Sequence, residues 1–180
     1  MAKKTPDRVR LTEAKLLDYS AEHVYYEIAL FLCQYRFVLS KIDWDLPAPE
    51  SVPKHLRGWT VNMALLEALL IHARLLTNFL YPQSIQADDV IAADFFDDPE
   101  QWDKIRPRLP ERLDEMRKRA DKEVAHLTTR RISGTPPEKS YHLEGFAKLW
   151  EVVRLFAMHA SPSRLHQRVR DVVLPQEQPA

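Results

Sequence analysis

Residues 60–81, TVNMALLEALLIHARLLTNFLY, run directly into Pro82. Leucine and alanine dominate the stretch, and both are strong helix formers. Pro82 sets its end, because proline lacks the N–H and its ring crowds the preceding turn. The apolar residues cover most of the helix circumference, so this helix needs neighbours on several sides. Such a segment directs the chain towards an all-α bundle with residues 60–81 near its centre.

The remaining segments supply the neighbours. Thr12 is placed to cap a first long helix over residues 13–40, with Leu16, Leu17, Val24, Ile28, Phe31, Leu32, Tyr35 and Leu39 at helical spacing. DWDLPAPESVP (43–53) reads as a loop, since its prolines do not fit inside a helix. QSIQADDVIAADFFDDPEQW (83–102) is acidic and turn-rich, an excursion holding one or two short helices and pinned by Phe95, Phe96 and Trp102. Pro110 opens a third helix over 111–131. Gly134, Pro136 and Pro137 break the chain before a fourth helix over 142–160, with Phe146, Leu149, Trp150, Val153, Leu155 and Phe156 as its apolar set. Ser161 and Pro162 restart a short basic helix through Val172. The expected organisation is a mobile arm (1–10), one helical domain (11–173) of four main helices plus short ones, and a disordered tail (174–180).

Composition removes several function classes. Gly58, Gly134 and Gly145 are the only glycines, and they form no phosphate-cradling loop, so no nucleotide cofactor is expected. A single cysteine, Cys33, excludes an internal disulfide and a Cys-rich zinc site, and fits a reducing cytoplasm. Its place in IALFLCQYRFVL reads as buried packing. No uninterrupted apolar run reaches membrane-span length, and MAKKTPDRVR lacks the apolar core of a signal peptide. Lys plus Arg and Asp plus Glu each number 26. That balance lacks the basic surplus of a dedicated nucleic-acid binder, although zero net charge is compatible with a local basic patch.

Helical geometry sorts the polar residues. Positions seven apart nearly eclipse, so Glu67, Arg74 and Asn78 share a stripe of the second helix, and His72 points to a more apolar side. On the third helix Leu113, Met116, Ala120, Val124 and Leu127 form the apolar side, while Arg112, Glu115, Arg119, Glu123, His126 and Arg130 line an adjoining one. Arg119 and His126 therefore face the same way. The same pattern is also what any amphipathic helix shows at its solvent face.

Three stretches resemble the HEPN superfamily of small all-α proteins: LLEALLIHARLLTNFLYP (65–82), DDVIAADFFDDPEQW (88–102) and RADKEVAHLTTRR (119–131). The last is similar to that superfamily's Arg-x(4–6)-His pattern at its longest spacing. The resemblance implies a HEPN-like helical bundle that forms a homodimer and brings two Arg–His sites together. In active members the composite site cuts RNA without a metal. Many such proteins act as toxins or in phage defence, beside an antitoxin or nucleotidyltransferase partner; others only bind or scaffold. Active members commonly carry a polar residue after the arginine, where this chain has Ala120.

The residue chemistry fits that expectation. RNA can be cut by its own 2′-hydroxyl, which needs a proton acceptor and a counter-charge on the phosphate. Histidine as a residue type titrates near neutrality, which makes His126 the acid–base candidate. Arg119 can meet two phosphate oxygens at once. Lys122 and Arg130 could hold neighbouring phosphates, and Glu123 could orient His126 or neutralise Arg119. Glu67, His72, Arg74 and Asn78 are supporting candidates on the second helix. A metal site from Glu67, His72 and His126 is a rival reading, but five-residue spacing makes Glu67 and His72 diverge, and none of the usual helix metal motifs is present. A non-catalytic interaction module is the other rival, with Trp44, Trp59, Trp102 and Trp150 as docking or core-capping aromatics.

Overall fold

A computed structural model describes residues 8–40, 51–120 and 143–174. All regular structure among these residues is helical. Thr12 caps α1 (Glu13–Tyr19), its hydroxyl oxygen accepting from the Lys15 N–H. A π-helical turn over Ser20–Val24 joins α1 to α2 (Tyr25–Ser40), so the predicted first helix is one rod with a widened turn inside it.

The second predicted helix is longer than its sequence suggests. α3 spans Lys54–Leu80, six residues earlier than expected. Pro53 lies just outside the first turn, where it does not break the hydrogen-bond ladder. Thr60, the expected start, lies inside the helix and donates its hydroxyl back to the Leu56 carbonyl at 2.6 Å. The added length matters in a second way. Gly58–Leu80 is long and apolar enough, by length and composition alone, to cross a membrane, at a mean hydropathy of 1.4. Counting uninterrupted apolar residues misses this, because the many leucines outweigh the isolated polar residues in the average. In the fold the helix is a hub: it packs on α2, α5 and α6, and buries Leu69, Leu70, Ala73, Leu76 and Leu80.

The excursion beyond α3 contains a 3₁₀ turn (Ala92–Phe95) and α4 (Pro99–Ile105). Phe95, Phe96 and Trp102 are buried, as expected. They gather around Phe156 of α6 (Leu143–His159), with ring centroids 5.7, 6.1 and 5.9 Å away, and Phe79 joins them at 5.3 Å. Such edge-on aromatic packing contributes beyond the buried area itself. α5 (Glu111–Arg119) packs between α3 and α6. The rest of the predicted 111–131 helix lies outside the described residues. α7 (Gln167–Val173) closes against α2, α6 and the π turn.

Two smaller expectations change. Cys33 is exposed. On α2 the buried residues are Ile28, Phe31 and Leu32, and one further residue turns the thiol about 100° away from Leu32. At the end of the predicted arm, Arg8 pairs with Asp94 and the Val9 N–H donates to the Ala87 carbonyl at 2.9 Å.

Candidate functional site

A cleft of about 600 Å³ lies between the π turn, α3, the 82–91 segment and α5. That is within the range of small-molecule sites, roughly 300–1,000 Å³. Each wall has a distinct local cause. Tyr19, His23 and Glu27 stand four residues apart and share the side of the π turn that faces the cleft. Buried Ser20 fixes that turn: its hydroxyl donates to the Leu17 carbonyl at 2.8 Å and accepts from the His166 N–H at 2.9 Å. π turns are rare and frequently accompany functional sites. α3 contributes Arg74, Leu75, Leu76, Asn78 and Phe79, and the 82–91 segment forms the rim.

Arg117 supplies the α5 wall. It is a buried arginine, with 8% of its surface exposed. Asp114 Oδ1 accepts from its Nε at 3.2 Å and from Nη2 at 2.7 Å. Lys118 meets the other Asp114 oxygen at 2.6 Å. The Lys118 hydrogen bond, with those of Arg117 behind it, holds the Asp114 carboxyl below its usual pKa, against the opposing effect of burial. Among the described residues, Asp114 is the hydrogen-bond partner of Arg117, and Nη1 takes part in neither bond.

Glu27 and Asp89 add acidic groups to the lining. Burial, then the Glu27 and Asp89 carboxylates, push the Tyr19 phenol above its ordinary value, so it remains a proton donor. The Tyr19 and His23 rings are 4.7 Å apart. Glu27 Oε2 lies 2.6 Å from His72 Nδ1, and His72 also meets the edge of Tyr26 at 6.0 Å. Asp89 Oδ2 accepts from the Gln86 N–H at 2.7 Å.

The structure redistributes the sequence candidates. Arg74 and Asn78 come together in the cleft wall. His72 lies behind it, buried and paired with Glu27. Glu67 is exposed and is not among the lining residues. Arg119 occupies the last turn of α5, partly exposed, also outside the lining. Lys122, Glu123, His126 and Arg130 lie outside the described residues, so the Arg119–His126 geometry does too. No three His, Cys, Asp or Glu side chains gather as a metal site among the described residues. Of the tryptophans, Trp102 is core, Trp150 packs on the core, Trp59 is exposed, and Trp44 lies outside the described residues.

Arg117, Tyr19, His23, Glu27 and Asp89 are the residues sequence reasoning missed. A signal existed for Arg117. It is four residues after Leu113 and three before Ala120, hence on the apolar side of α5, with Asp114 one turn behind as partner. Tyr19, His23 and Glu27 were legible as a polar-edged stripe. Nothing local in 82–91 announces that it folds over them.

No family model matches this chain, and neither a curated protein nor a solved structure does.

Proposed function

We propose that this chain is a HEPN-like helical protein of the cytoplasm that binds RNA and cuts it without a metal or cofactor. In this reading it is a homodimer that pairs two Arg119–His126 sites, of toxin or phage-defence type, working beside an antitoxin or nucleotidyltransferase partner. The observation that supports it is the basic end of α5. Lys118 and Arg119 are consecutive in its last turn, Lys118 exposed and Arg119 partly exposed, in a chain whose overall charge is zero. Clustered cations of this kind attract a phosphate backbone, and their position at a helix C-terminus is itself favourable. Arg119 then stabilises the charge gathering on the phosphate, and His126 moves the proton of the 2′-hydroxyl.

The test is cleavage of mixed tRNA and single-stranded RNA in EDTA by wild type, Arg119→Ala and His126→Ala, each checked for helicity. Wild-type cutting reduced about 100-fold or more in both folded variants is the expected result. A folded wild type that cuts nothing favours the second reading, a non-catalytic interaction protein. That reading has its own support in the exposed apolar side chains of α3: Trp59 at 60%, Ile71 at 44% and Leu75 at 43%.

A further inference from the structure

We propose that the cleft beside Arg117 is a binding site for a small amphipathic organic anion, a compound with one carboxylate or phosphate head and an apolar body. Arg119 is not among the residues that line this cleft, and the proposal does not depend on RNA cleavage.

Three observations define the ligand. The first is Arg117. A guanidinium this buried, held by Asp114 through two of its nitrogens, is oriented before any ligand arrives. Its Nη1 is outside both bonds, and the residue forms part of the cleft wall. Pre-oriented guanidinium groups bind planar or tetrahedral oxyanions well, because no side-chain entropy remains to be lost. Arg74 and Asn78 add a second cation and an amide to the lining.

The second observation is the apolar strip. Leu75, Leu76, Phe79, Val90 and Ile91 line the same cleft. Bare inorganic phosphate would leave this surface facing water. A ring or short hydrocarbon chain would cover it, at roughly 25 cal/mol for each Å² removed from solvent.

The third is the placement of the acids. Tyr19, Glu27 and Asp89 line the same cleft, and burial, then the two carboxylates, raise the Tyr19 pKa. The two carboxylates therefore act near Tyr19. A second anionic group there would meet like charge, so the ligand carries one oxyanion. A hydroxyl or amine at its far end would find acceptors.

The experiment is calorimetric titration of the full chain with phenyl phosphate, phenylacetate, inorganic phosphate and benzyl alcohol. Saturable binding of phenyl phosphate or phenylacetate at about 1 mM or tighter is expected, with no heat from benzyl alcohol. The two arms separate a phosphate head from a carboxylate head. Arg117→Gln, confirmed as folded, should weaken binding at least tenfold. Leu75→Trp, which fills the cleft from an exposed position, should do the same without altering the buried arginine. Absence of saturable binding by both aromatic anions overturns the proposal. So does undiminished binding in folded Arg117→Gln or, if that variant does not fold, in Leu75→Trp. Inorganic phosphate binding as tightly as phenyl phosphate would overturn the apolar component.

Discussion

Residues 82–91 and 92–105 follow one another, share an acidic, turn-rich composition, and are built in opposite ways. The later half is core. Phe95, Phe96 and Trp102 are buried, and Trp102 Nε1–H donates to the Leu80 carbonyl at 2.9 Å. Arg106 donates to the same carbonyl at 2.8 Å and covers the Tyr81 ring. These bonds occupy a carbonyl in the last turn of α3 that has no partner within its own helix. The earlier half has no regular structure and faces the cleft, held among the described residues by the Gln86–Asp89 turn and the Val9–Ala87 backbone bond. Acid content does not separate the two halves. Aromatic content does: three large rings fix one half, and none is available to fix the other.

The largest effect expected from this contrast is at Trp102. Trp102→Ala should lower stability by about 3–5 kcal/mol, chiefly through lost packing, since Arg106 still donates to the Leu80 carbonyl. Asp89→Ala on the cleft rim should change it by no more than about 0.5 kcal/mol. Urea unfolding followed by helical circular dichroism measures both. Comparable losses at the two sites would mean that the rim is as structural as the core.

Arg164 is the next test. Its guanidinium reaches the Phe96 and Asp94 carbonyls and the Glu13 carboxylate, tying the core half of the excursion to α1. Arg164→Ala should cost about 1–3 kcal/mol, since the buried carbonyls lose a charged donor. Its amide protection should fall over 92–98 and remain unchanged over 83–89 in hydrogen exchange. A uniform fall would show that the two halves open together.

A smaller effect is expected at the start of α4. Asp98 Oδ1 accepts from the Glu100 N–H at 2.9 Å, immediately before Pro99 in the first turn. Asp98→Ala removes this cap and should cost about 1 kcal/mol, and Asp98→Asn should restore most of it. The same urea midpoints decide it.

The division between legible and hidden parts of the chain follows the same contrast. Periodicity found the end of α6 within one residue, because the Ser161–Pro162 breaker is local. Pro82 correctly closed α3, and Thr12 correctly opened α1. The start of α3 was misplaced because Pro53 and Thr60 both suit a helix start, and only the observed ladder separates them. Cys33 was misread because an apolar run does not say which residue turns outward. The core half of the excursion was legible through its aromatic rings. The cleft was not, because it exists only where four separate segments meet, and its arginine sits at a position that binary pattern assigns to an apolar residue.

That arginine gives the smallest and most specific prediction. Asp114 connects the cleft wall to the surface, with Arg117 on one oxygen and Lys118 on the other. Its carboxyl titrates below its ordinary value in the folded protein, chiefly through the Lys118 hydrogen bond. A folded-state pKa below the unfolded one means that the ionised form is the stabilising form. The contribution is complete above the ordinary carboxylate value of about 4 and is lost as pH falls through the lower folded value. The pair with Lys118 is solvated on the lysine side, so the total should be no more than about 1 kcal/mol. Asp114→Asn should therefore reduce stability by that amount at pH 7, and the difference from wild type should close in acid. If the deficit persists unchanged below the folded pKa, Asp114 acts by shape and hydrogen bonding alone. Arg117 would then be held in the cleft without needing its partner's charge.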